Sequence, residues 1–556
     1  MIPKAVLDRG DYEFEGLQPA VAIYFAALEQ SGCREIVESF RSEFEKEERR
    51  SGKHVPIRNL DASMAFKAYT GTMFTNGQRY PLYETRHFYA SSPTDAMFGA
   101  AVKPRSLSDT NLAGRMEDLM EVDTDELVWQ FSHRAREFFG LDSNDYFFDN
   151  TDVDFFGVAR PDGTGKAAAM KYSTKCKSGR TEALHKEVMN VCCGDGTLVY
   201  SHIFDGATAD QEMDIAALDK LLDKLNPECD VLSGDCKFCD VRIFQRIDRR
   251  GCGFVTKVPH FFSGSIRELV RMSALSGVMD ESPRYKGRWY YETHDVITDS
   301  KGQSFGDKRL IAYRLPKAIK RAVKFLEQQG LKQVEKALKK VWHQRFDTRE
   351  EAVSAILDAL DSAEEPIYRA VVEYVQDPRA LKKGGPAWMA RIHGVSVDPD
   401  LVTEAAERYS VEVLVTNIPF ATEDAANPRQ GMTADTVINR YLQQCTIEKR
   451  FRMQKTCHGV AHIFIHTPVR QDAMILMDCL ATAMQSALDA VLKRERPPGE
   501  KRITMEMLGD QLVGCRIGFD REEKRIFFSG DRESKALFFR ALDRLGVDLR
   551  YAFPYA

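Results

Sequence analysis

The first quarter of the chain has apolar residues at helical spacing. Residues 17–48 and 108–139 each repeat apolar positions every three or four residues, with charged residues between them. That period is typical of amphipathic helices, so residues 1–145 are predicted to be mostly helical.

From residue 145 the pattern changes to short aromatic and β-branched runs, which are typical of strands. Gly194-Asp195-Gly196 predicts a turn between two of these runs. In chain order, the predicted elements are strands over 145–159, 187–193 and 197–204, a helix over 209–225 and a strand over 229–234. Three antiparallel strands, a helix and a fourth strand form the opening of an RNase H-like α/β fold.

A fifth strand at residues 411–416 leads into a helix predicted over residues 433–455, so a long segment interrupts this core. Within the interruption the pattern predicts strands at 288–297 and 305–315, a basic helix that begins at Pro316, a helix at 349–363 and a linker at 382–386. A long helix at residues 469–493 and a small α+β tail follow the fifth strand and its helix.

The predicted fold class is therefore an α/β, RNase H-like catalytic core interrupted by a mixed α+β insertion domain. A helical N-terminal domain precedes the core and a small C-terminal α+β tail follows it. The corresponding domains are 1–144 (helical), 145–250 (core, first part), 251–400 (basic insertion domain), 401–495 (core, second part) and 496–556 (tail).

Composition describes an ordinary globular protein, with 43% hydrophobic and 29% charged residues. No run of about 18 apolar residues is present, and the N-terminus is polar. Neither a membrane span nor a secretory signal is predicted, so the expected location is the cytoplasm, where the 12 cysteines would be reduced.

The net charge of −5 hides a strong asymmetry. Residues 1–145 contain 17 basic and 24 acidic residues, a net of −7, whereas residues 308–345 contain 12 basic and 2 acidic residues, a net of +10. A compact basic segment in an acidic protein is typical of a phosphate-binding surface, although a solvated lysine-rich helix face gives the same pattern.

The helix predicted over residues 433–455 carries a distinctive set of side chains. Arg452 lies about 40° around the helix from Glu448. Glu448 and three other residues fall within a wedge of about 60° on the same face of the helix: Tyr441, Gln444 and Lys455. A carboxylate among Tyr, Arg and Lys side chains suits a site where a metal-binding acid meets a phosphate backbone.

Two upstream aspartates, Asp149 and Asp235, each end an apolar run. Two strand-end aspartates and Glu448 can hold two divalent cations about 4 Å apart, the arrangement used for in-line phosphoryl displacement. Carboxylate oxygens suit Mg²⁺, and Mn²⁺ can replace it. Asp152 and Asp154 compete with Asp149 for the first-ligand role, but on a regular strand they face the opposite side, and Asp149 is preferred.

These residues resemble the DDE transposases of bacterial insertion sequences, in the group (the insertion sequence family four superfamily) whose glutamate helix carries a Tyr-x2-Arg-x3-Glu-x6-Lys signature. Here the signature reads Tyr441-x2-Gln444-x3-Glu448-x6-Lys455. The supporting matches are Phe148-Asp149-Asn150-Thr151, Phe204-Asp205-Gly206-Ala207-Thr208-Ala209-Asp210, Leu232-Ser233-Gly234-Asp235, Val413-Leu414-Val415-Thr416-Asn417 and Thr467-Pro468-Val469-Arg470.

The resemblance implies that Asp149, Asp235 and Glu448 form the metal-binding triad and that Tyr441 and Lys455 hold phosphates of the transposon end. It also implies an insertion domain between Asp235 and the last core strand.

The chain departs from the family pattern at two places. Gln444 stands where the family usually has Arg, and Arg452 or Arg440 is available to compensate. The basic residues 175–180 match the family's Ser-Lys-x2-Arg pattern only loosely.

Trp289 has two interpretations. It lies in a predicted strand of the insertion, and in related transposases an aromatic residue there stacks on a base flipped out beside the cleaved end. A core or edge-strand tryptophan is the alternative interpretation.

The cysteines raise the question of a zinc site, because Cys236 and Cys239 have CxxC spacing. The sequence lacks a second tight pair, since Cys229 and Cys252 stand apart, and ordinary reduced thiols are expected.

The function expected from the sequence is a transposase that cleaves the DNA ends of its element and joins their 3′ hydroxyls to target DNA. The expected partner is double-stranded DNA, bound by a homodimer and contacted by Trp289, Lys317, Lys320, Arg321 and Lys324 in addition to the signature helix. The alternatives are a catalytically silent, domesticated relative that only binds DNA, and a metal-dependent nuclease on the same fold.

Overall fold

A computed structural model describes most of the chain. The described residues are 6–8, 16–52, 60–75, 80–155, 184–206, 208–259, 269, 272, 277–298, 302–361, 367–382, 384–457, 467–520 and 525–556. They divide into two compact units, one of Met1–Gly253 with Arg440–Ala556 and one of Phe254–Asn439. Residues 175–180 of the sequence analysis lie outside the described residues.

The structure is mixed α/β. The described α-helices are α1 (Pro19–Gln30), α2 (Cys33–Arg50), α3 (Ala62–Gly71), α4 (Thr85–Phe88), α5 (Thr94–Phe98), α6 (Asp109–Asp118), α7 (Thr124–Phe138), α8 (Asp210–Leu221), α9 (Val241–Arg250), α10 (Ala318–Phe325), α11 (Leu331–Trp342), α12 (Arg349–Asp361), α13 (Pro378–Leu381), α14 (Val402–Tyr409), α15 (Ala434–Leu442), α16 (Cys445–Arg452), α17 (Pro468–Arg494), α18 (Met505–Gln511) and α19 (Arg532–Leu545).

The described strands occur in both units. They are β1 (Val6–Asp8), β2 (Gly16–Leu17), β3 (Asp145–Phe155), β4 (Leu184–Cys193), β5 (Leu198–Asp205), β6 (Val231–Gly234), β7 (Gly253–Lys257), β8 (Asp280–Glu281), β9 (Trp289–Thr298), β10 (Ser304–Arg314), β11 (Tyr368–Gln376), β12 (Trp388–Val397), β13 (Glu412–Thr416), β14 (Arg516–Asp520) and β15 (Arg525–Ser529).

The first unit contains the sheet that the sequence predicted. Its strand order is β5-β4-β3-β6, with β3 antiparallel to β4, β4 antiparallel to β5, and β6 parallel to β3. The parallel pair is joined through the helix α8, as a parallel connection requires. The predicted order of three antiparallel strands, a helix and a fourth strand is therefore confirmed.

The core of the first unit is built around α17, which is 27 residues long and buried along almost its whole length. By length and hydropathy alone this helix could cross a membrane, but its apolar window is entirely buried inside the protein. A helix that is apolar all round is expected at the centre of a large core. The hydropathy of α17 is therefore only weak evidence for a membrane span.

Two long N-terminal helices of the sequence analysis are each divided in the structure. The first breaks between α1 and α2, where Gly32 has φ 76°, a left-handed conformation that glycine adopts without steric cost. The second breaks between α6 and α7, where a 3₁₀ turn precedes Asp123 and the Asp123 side chain accepts a hydrogen bond from Glu126 N. Local capping therefore overrides the continuous apolar period.

The second unit has a sheet of order β7-β13-β10-β9-β8, antiparallel in the pairings β13–β7, β10–β13, β10–β9 and β8–β9. A separate hairpin, β11–β12, packs with α10, α11, α12 and α14 around a second apolar core. Residues 382 and 384–386 of the predicted linker lie in the connection between α13 and β12 of this hairpin.

Candidate metal centre and nucleic-acid interface

The pairing of β3 with β6 places the two predicted aspartates side by side. Phe148 lies opposite Gly234 in this parallel ladder, so the next residues, Asp149 and Asp235, follow at the same edge. Each carboxylate also makes a local hydrogen bond. Asp149 Oδ1 accepts from Asn150 N at 2.9 Å, and Asp235 Oδ1 accepts from Lys237 N at 2.8 Å.

Helix α8 adds two more carboxylates to this edge. Asp210 and Asp214 are one turn apart on α8, and Asp214 is only 5% exposed. Burial raises the pKa of Asp214 well above its usual range, and the negative charges of Asp235, Asp149 and Asp210 raise it further. In the described part of the chain, the Asp214 carboxylate has no hydrogen-bond or ion-pair partner. A buried acid surrounded by three other carboxylates is an arrangement that a divalent cation would stabilise.

Lys237 partly offsets this charge. Its ammonium forms an ion pair with Asp210, whose Oδ1 also accepts a hydrogen bond from Asn150 Nδ2 at 2.7 Å. Burial lowers the pKa of Lys237, but the Asp210 hydrogen bond and the charges of Asp235 and Asp149 outweigh that effect and raise the net pKa. Lys237 is thus one described cation that faces the four aspartates, and it neutralises part of their charge.

The sequence analysis did not assign Asp210 and Asp214 to the site. The sequence does contain a signal for Asp214, because an aspartate stands there among the apolar residues of the helix. In the structure Asp214 lies on the buried face of α8 with Met213, Ala217 and Leu218. An acid at a core-facing position of an amphipathic helix is rarely left there without a partner or a ligand.

The regular helix predicted over residues 433–455 is wrong. The chain forms α15 up to Leu442, a tight turn, and then α16 from Cys445. Across the turn Gln444 N and Ile447 N donate to carbonyls three residues earlier, at 3.0 Å each, so the winding is locally that of a 3₁₀ helix. A π turn, Met453–Cys457, follows α16. The predicted 60° wedge assumed 100° for every residue and does not apply.

Glu448 lies on the exposed side of α16, whose buried side chains Ile447 and Phe451 join the core of the first unit. Across the described residues, Glu448 makes no ion pair and no side-chain hydrogen bond. Tyr441 and Gln444 are half-buried, and Arg452 is largely exposed with its nearest acid, Glu506, at 3.9 Å. Of the signature side chains, Glu448 and Arg452 are therefore exposed, whereas Tyr441 and Gln444 are half-buried.

Lys455 has a carboxylate partner within the protein. Its Nζ lies 2.8 Å from Asp152 Oδ1, and Asp152 is buried on β3. The sequence analysis placed Asp152 on the face opposite Asp149, and its pairing with Lys455 gives it a role other than first metal ligand. A phosphate that bound Lys455 would have to displace or share this ion pair.

The donor chemistry of the aspartate cluster fits a hard divalent cation, because all its ligands are carboxylate oxygens. Within the described residues, however, no three His, Cys, Asp or Glu side chains are already arranged to hold a metal ion. The same finding covers the cysteines near Asp235, so the described residues give no support to a zinc site.

The remaining predicted DNA contacts lie in the second unit. Trp289, 36% exposed, begins β9, and the neighbouring Arg288 is anchored by Asp435 at 3.1 Å and Asn439 at 2.9 Å. The basic residues that open the α10 region are all exposed: Lys317, Lys320, Arg321 and Lys324. Lys317 has φ 64°, an unusual conformation for a residue with a side chain.

The chain was compared with known proteins. No family model and no curated protein matches it. A solved structure, the piggyBac transposase synaptic complex with hairpin DNA, matches with a TM-score of 0.40 and 9% sequence identity, over 88% of this chain and 79% of that chain. Values this low establish neither a shared fold nor a shared function, so the site has to be understood from its own residues.

Those residues define two chemical environments. In the first unit the buried Asp214 lies among the half-buried Asp149, Asp210 and Asp235, and their carboxylate oxygens suit divalent cations. The second unit has exposed lysines and arginines on a helix, suited to phosphate groups. A protein that combines a carboxylate cation site with a phosphate-binding surface is equipped for chemistry on a nucleic-acid backbone.

Proposed function

We propose that this protein is a metal-dependent phosphoryl-transfer enzyme of the RNase H-like type that acts on double-stranded DNA, and specifically a DDE transposase. The observation that carries the proposal is the convergence of Asp149, in the middle of β3, and Asp235, directly after β6, with the buried Asp214. The resemblance of the signature helix to insertion-sequence transposases supports the same conclusion.

In this proposal Asp149, Asp235 and Glu448 hold two Mg²⁺ ions, or Mn²⁺ in their place. When bound, such cations supply an activated hydroxyl nucleophile and stabilise the leaving oxygen of the phosphodiester. The protein supplies the fixed positions of the two aspartates on paired strands. Glu448 reaches the site from α16, and the absence of a bond that ties it elsewhere in the described residues leaves it available.

The proposed reaction has two displacements at phosphorus. Water attacks the scissile phosphodiester at the element end and releases a 3′ hydroxyl. That hydroxyl then attacks a phosphodiester of the target strand. The DNA contacts are assigned to Tyr441, Gln444, Arg452, Lys455, Trp289, Lys317, Lys320, Arg321 and Lys324. Two ends call for two copies of the chain, so a homodimer is proposed for the DNA complex.

A second candidate is a silent, domesticated relative that binds DNA without cutting it. Two observations favour it. The described residues contain no ready three-ligand metal group, and Gln444 replaces a charged residue of the signature. A nuclease that cuts but does not join is a third candidate, and it would share the metal site.

The test begins with cleavage of a labelled duplex that carries the inverted repeats flanking the gene, in Mg²⁺. Wild type is compared with Asp235→Asn, Glu448→Gln and the control Asp219→Asn, an exposed acid on α8 that pairs with Arg246. We expect cutting by wild type and the control, loss of at least about 100-fold in the two site variants, and DNA binding by all four.

Each result that differs from these expectations supports one of the other candidates or removes a residue from the proposed triad. Binding without cutting by wild type supports the silent relative. Cutting that survives Glu448→Gln but not Asp235→Asn excludes Glu448 from the triad. Cutting without joining, when a pre-cut end is supplied with target DNA, supports the nuclease.

A further inference from the structure

The basic segment of the second unit forms one continuous helix with a defined inner face. Helices α10 and α11 are joined by a π turn, Leu326–Gly330. Leu326, its first residue, and Leu331, the residue after it, both keep right-handed helical backbone angles. The buried side chains that face the apolar core of this unit are Ala322, Leu326, Val334, Leu338 and Val341. The inner face thus runs through the π turn without a break.

The π turn corrects the phase of the helix. Leu331 N donates to Leu326 O, an i→i+5 bond that takes up one residue more than the α-helical bond. In a pure α-helix, residues eight apart such as Lys324 and Lys332 would lie about 80° apart around the axis. Because the π turn takes up one extra residue, Lys324 and Lys332 are placed around the axis like residues seven apart in an α-helix. The angle between them is therefore only about 20°.

Two residues accommodate this turn. The Tyr368 hydroxyl, on β11, donates to Leu326 O at 3.0 Å and so satisfies a carbonyl where the winding changes. Gly330 is buried, and a Cβ at that position would overlap the Tyr368 hydroxyl. Glycine is therefore needed at position 330 because the Tyr368 hydroxyl approaches its Cα closely. Its backbone angles are ordinary α-helical angles that any residue can adopt.

The phase correction aligns the lysines as well as the core. Five of them lie within about 60° of one another on the side opposite the inner face, and all are exposed: Lys320, Lys324, Lys332, Lys336 and Lys339. We call these five residues the lysine track. Among the described residues, none of the five has a carboxylate partner within salt-bridge distance. Glu327 and Glu335 are the acids at its edge.

We propose that the lysine track binds the phosphate backbone of duplex DNA independently of sequence, which rests on the proposed function and extends its DNA interface along the whole of α11. From Lys320 to Lys339 the track is about 28 Å long, the length of about eight base pairs. Lysines act as point charges and offer no paired donors to a base edge, so they fix position rather than sequence.

The charge on the track is not used inside the protein. Five like charges on one helix face repel one another and have no structural benefit here, because each side chain points away from the apolar core. A polyanion with regularly spaced charges is the partner that relieves this repulsion along the full length. Duplex DNA meets that requirement, and association releases its condensed counterions.

The experiment measures binding of full-length protein to a 20-base-pair duplex of arbitrary sequence by fluorescence anisotropy over a series of salt concentrations, without divalent cations. The track variant is Lys324→Gln, Lys332→Gln, Lys336→Gln and Lys339→Gln combined. We expect the slope of log K against log salt to fall by about 3 to 4, close to 0.9 per lost phosphate contact, with affinity reduced at least about 100-fold at low salt.

Two controls separate the position of the charge from its amount: the first loses the same charge as the track variant, and the second keeps the net charge of wild type. The first replaces four exposed lysines of the first unit by Gln: Lys46, Lys220, Lys493 and Lys501. It should bind nearly as wild type. The second, Lys332→Gln with Gln333→Lys, moves one exposed charge about 100° around the helix without altering the net charge, and its slope should fall by about 0.9.

The results separate this proposal from the proposed function. Equal slopes for the track and first-unit variants overturn the lysine track, and cleavage by wild type would leave the proposed function standing. If wild type binds phosphatidylserine vesicles through the track but not DNA, both proposals fail. Circular dichroism and thermal melting confirm that each variant folds, because all the replaced side chains are exposed.

Discussion

At the scale of single residues, the carboxylate cluster consists of Asp149 on β3, Asp235 directly after the paired strand β6, and the buried Asp214 on α8. Asp149 and Asp235 were predicted because each ends an apolar run, and the strand ladder brings them together. Asp214 was not predicted, because helical periodicity marks its position as core and reveals nothing about which strand ends it meets. The ion pair of Lys455 with Asp152 was not predicted either, since the two residues lie far apart in sequence.

Replacing Asp214 is expected to stabilise the metal-free protein. Asp214→Asn removes a buried acid whose raised pKa lowers stability at neutral pH, so the free energy of unfolding should rise by about 1 kcal/mol, and the melting temperature by about 2 °C. Calorimetry without and with 10 mM Mg²⁺ measures both effects. Wild type should gain stability with Mg²⁺ and the variant should gain less. A less stable metal-free variant would contradict the interpretation of Asp214 as an unsatisfied acid.

Lys67 provides a second residue-scale prediction, on pH. Its ammonium is fully buried, 2.8 Å from Glu29 Oε1 and from Met97 O. Burial lowers the pKa of Lys67 to about 8, although Glu29 opposes the effect. An unfolded lysine titrates near 10.4, so between these values the unfolded state binds more protons and stability rises with pH.

The contribution of Lys67 is expected to reach about 3 kcal/mol, as an upper limit, across that interval. Urea unfolding from pH 7 to 10 on wild type and Lys67→Met measures it, since other titrating groups cancel in the difference. The stability of wild type should increase relative to the variant as pH rises. Parallel curves would show that Lys67 keeps an ordinary pKa.

At the scale of secondary-structure elements, local hydrogen bonds explain where the periodicity failed. The signature helix was predicted as one piece because its apolar spacing is continuous, yet bonds to the third carbonyl divide it near Gln444. Strand β11 was not predicted, although its tyrosines and valines are typical of strands. The basic helix was predicted, but its π turn depends on Tyr368, which no local window contains.

The π turn gives an element-scale prediction by a double-mutant cycle. Gly330→Ala should destabilise the second unit by about 1–3 kcal/mol, because the new methyl group displaces the Tyr368 hydroxyl. Tyr368→Phe alone should cost about 1 kcal/mol, for the lost bond to Leu326 O. The double variant should lose less than the sum, since the phenyl ring leaves room for the methyl group. Additive effects in denaturant unfolding would contradict the proposed contact.

At the scale of the whole molecule, the two units carry different chemistry. The first unit holds the aspartate cluster and the signature side chains, whereas the second holds the lysine track and Trp289. Net charge alone could not predict this division, because the basic segment is outweighed by acids elsewhere in the chain. The charge of individual segments was the more informative quantity.

This division predicts that metal and DNA protect different amides from hydrogen exchange. Mn²⁺ without DNA should slow exchange at the ends of β3 and β6 and in the first turns of α8, where ligation would remove the repulsion among the aspartates, and should leave α10 and α11 unchanged. A short duplex without metal should slow exchange in α10, the π turn and α11, and the effect should weaken steeply with salt. Mass spectrometry of peptic peptides resolves the two regions in one experiment.

Two variants test the assignment of the two regions. Asp235→Asn should abolish only the protection by Mn²⁺, and the four-lysine track variant should abolish only the protection by DNA. If Mn²⁺ protected both regions equally, ligand binding would be global stabilisation, and the assignment of separate cation and phosphate sites would have to be abandoned.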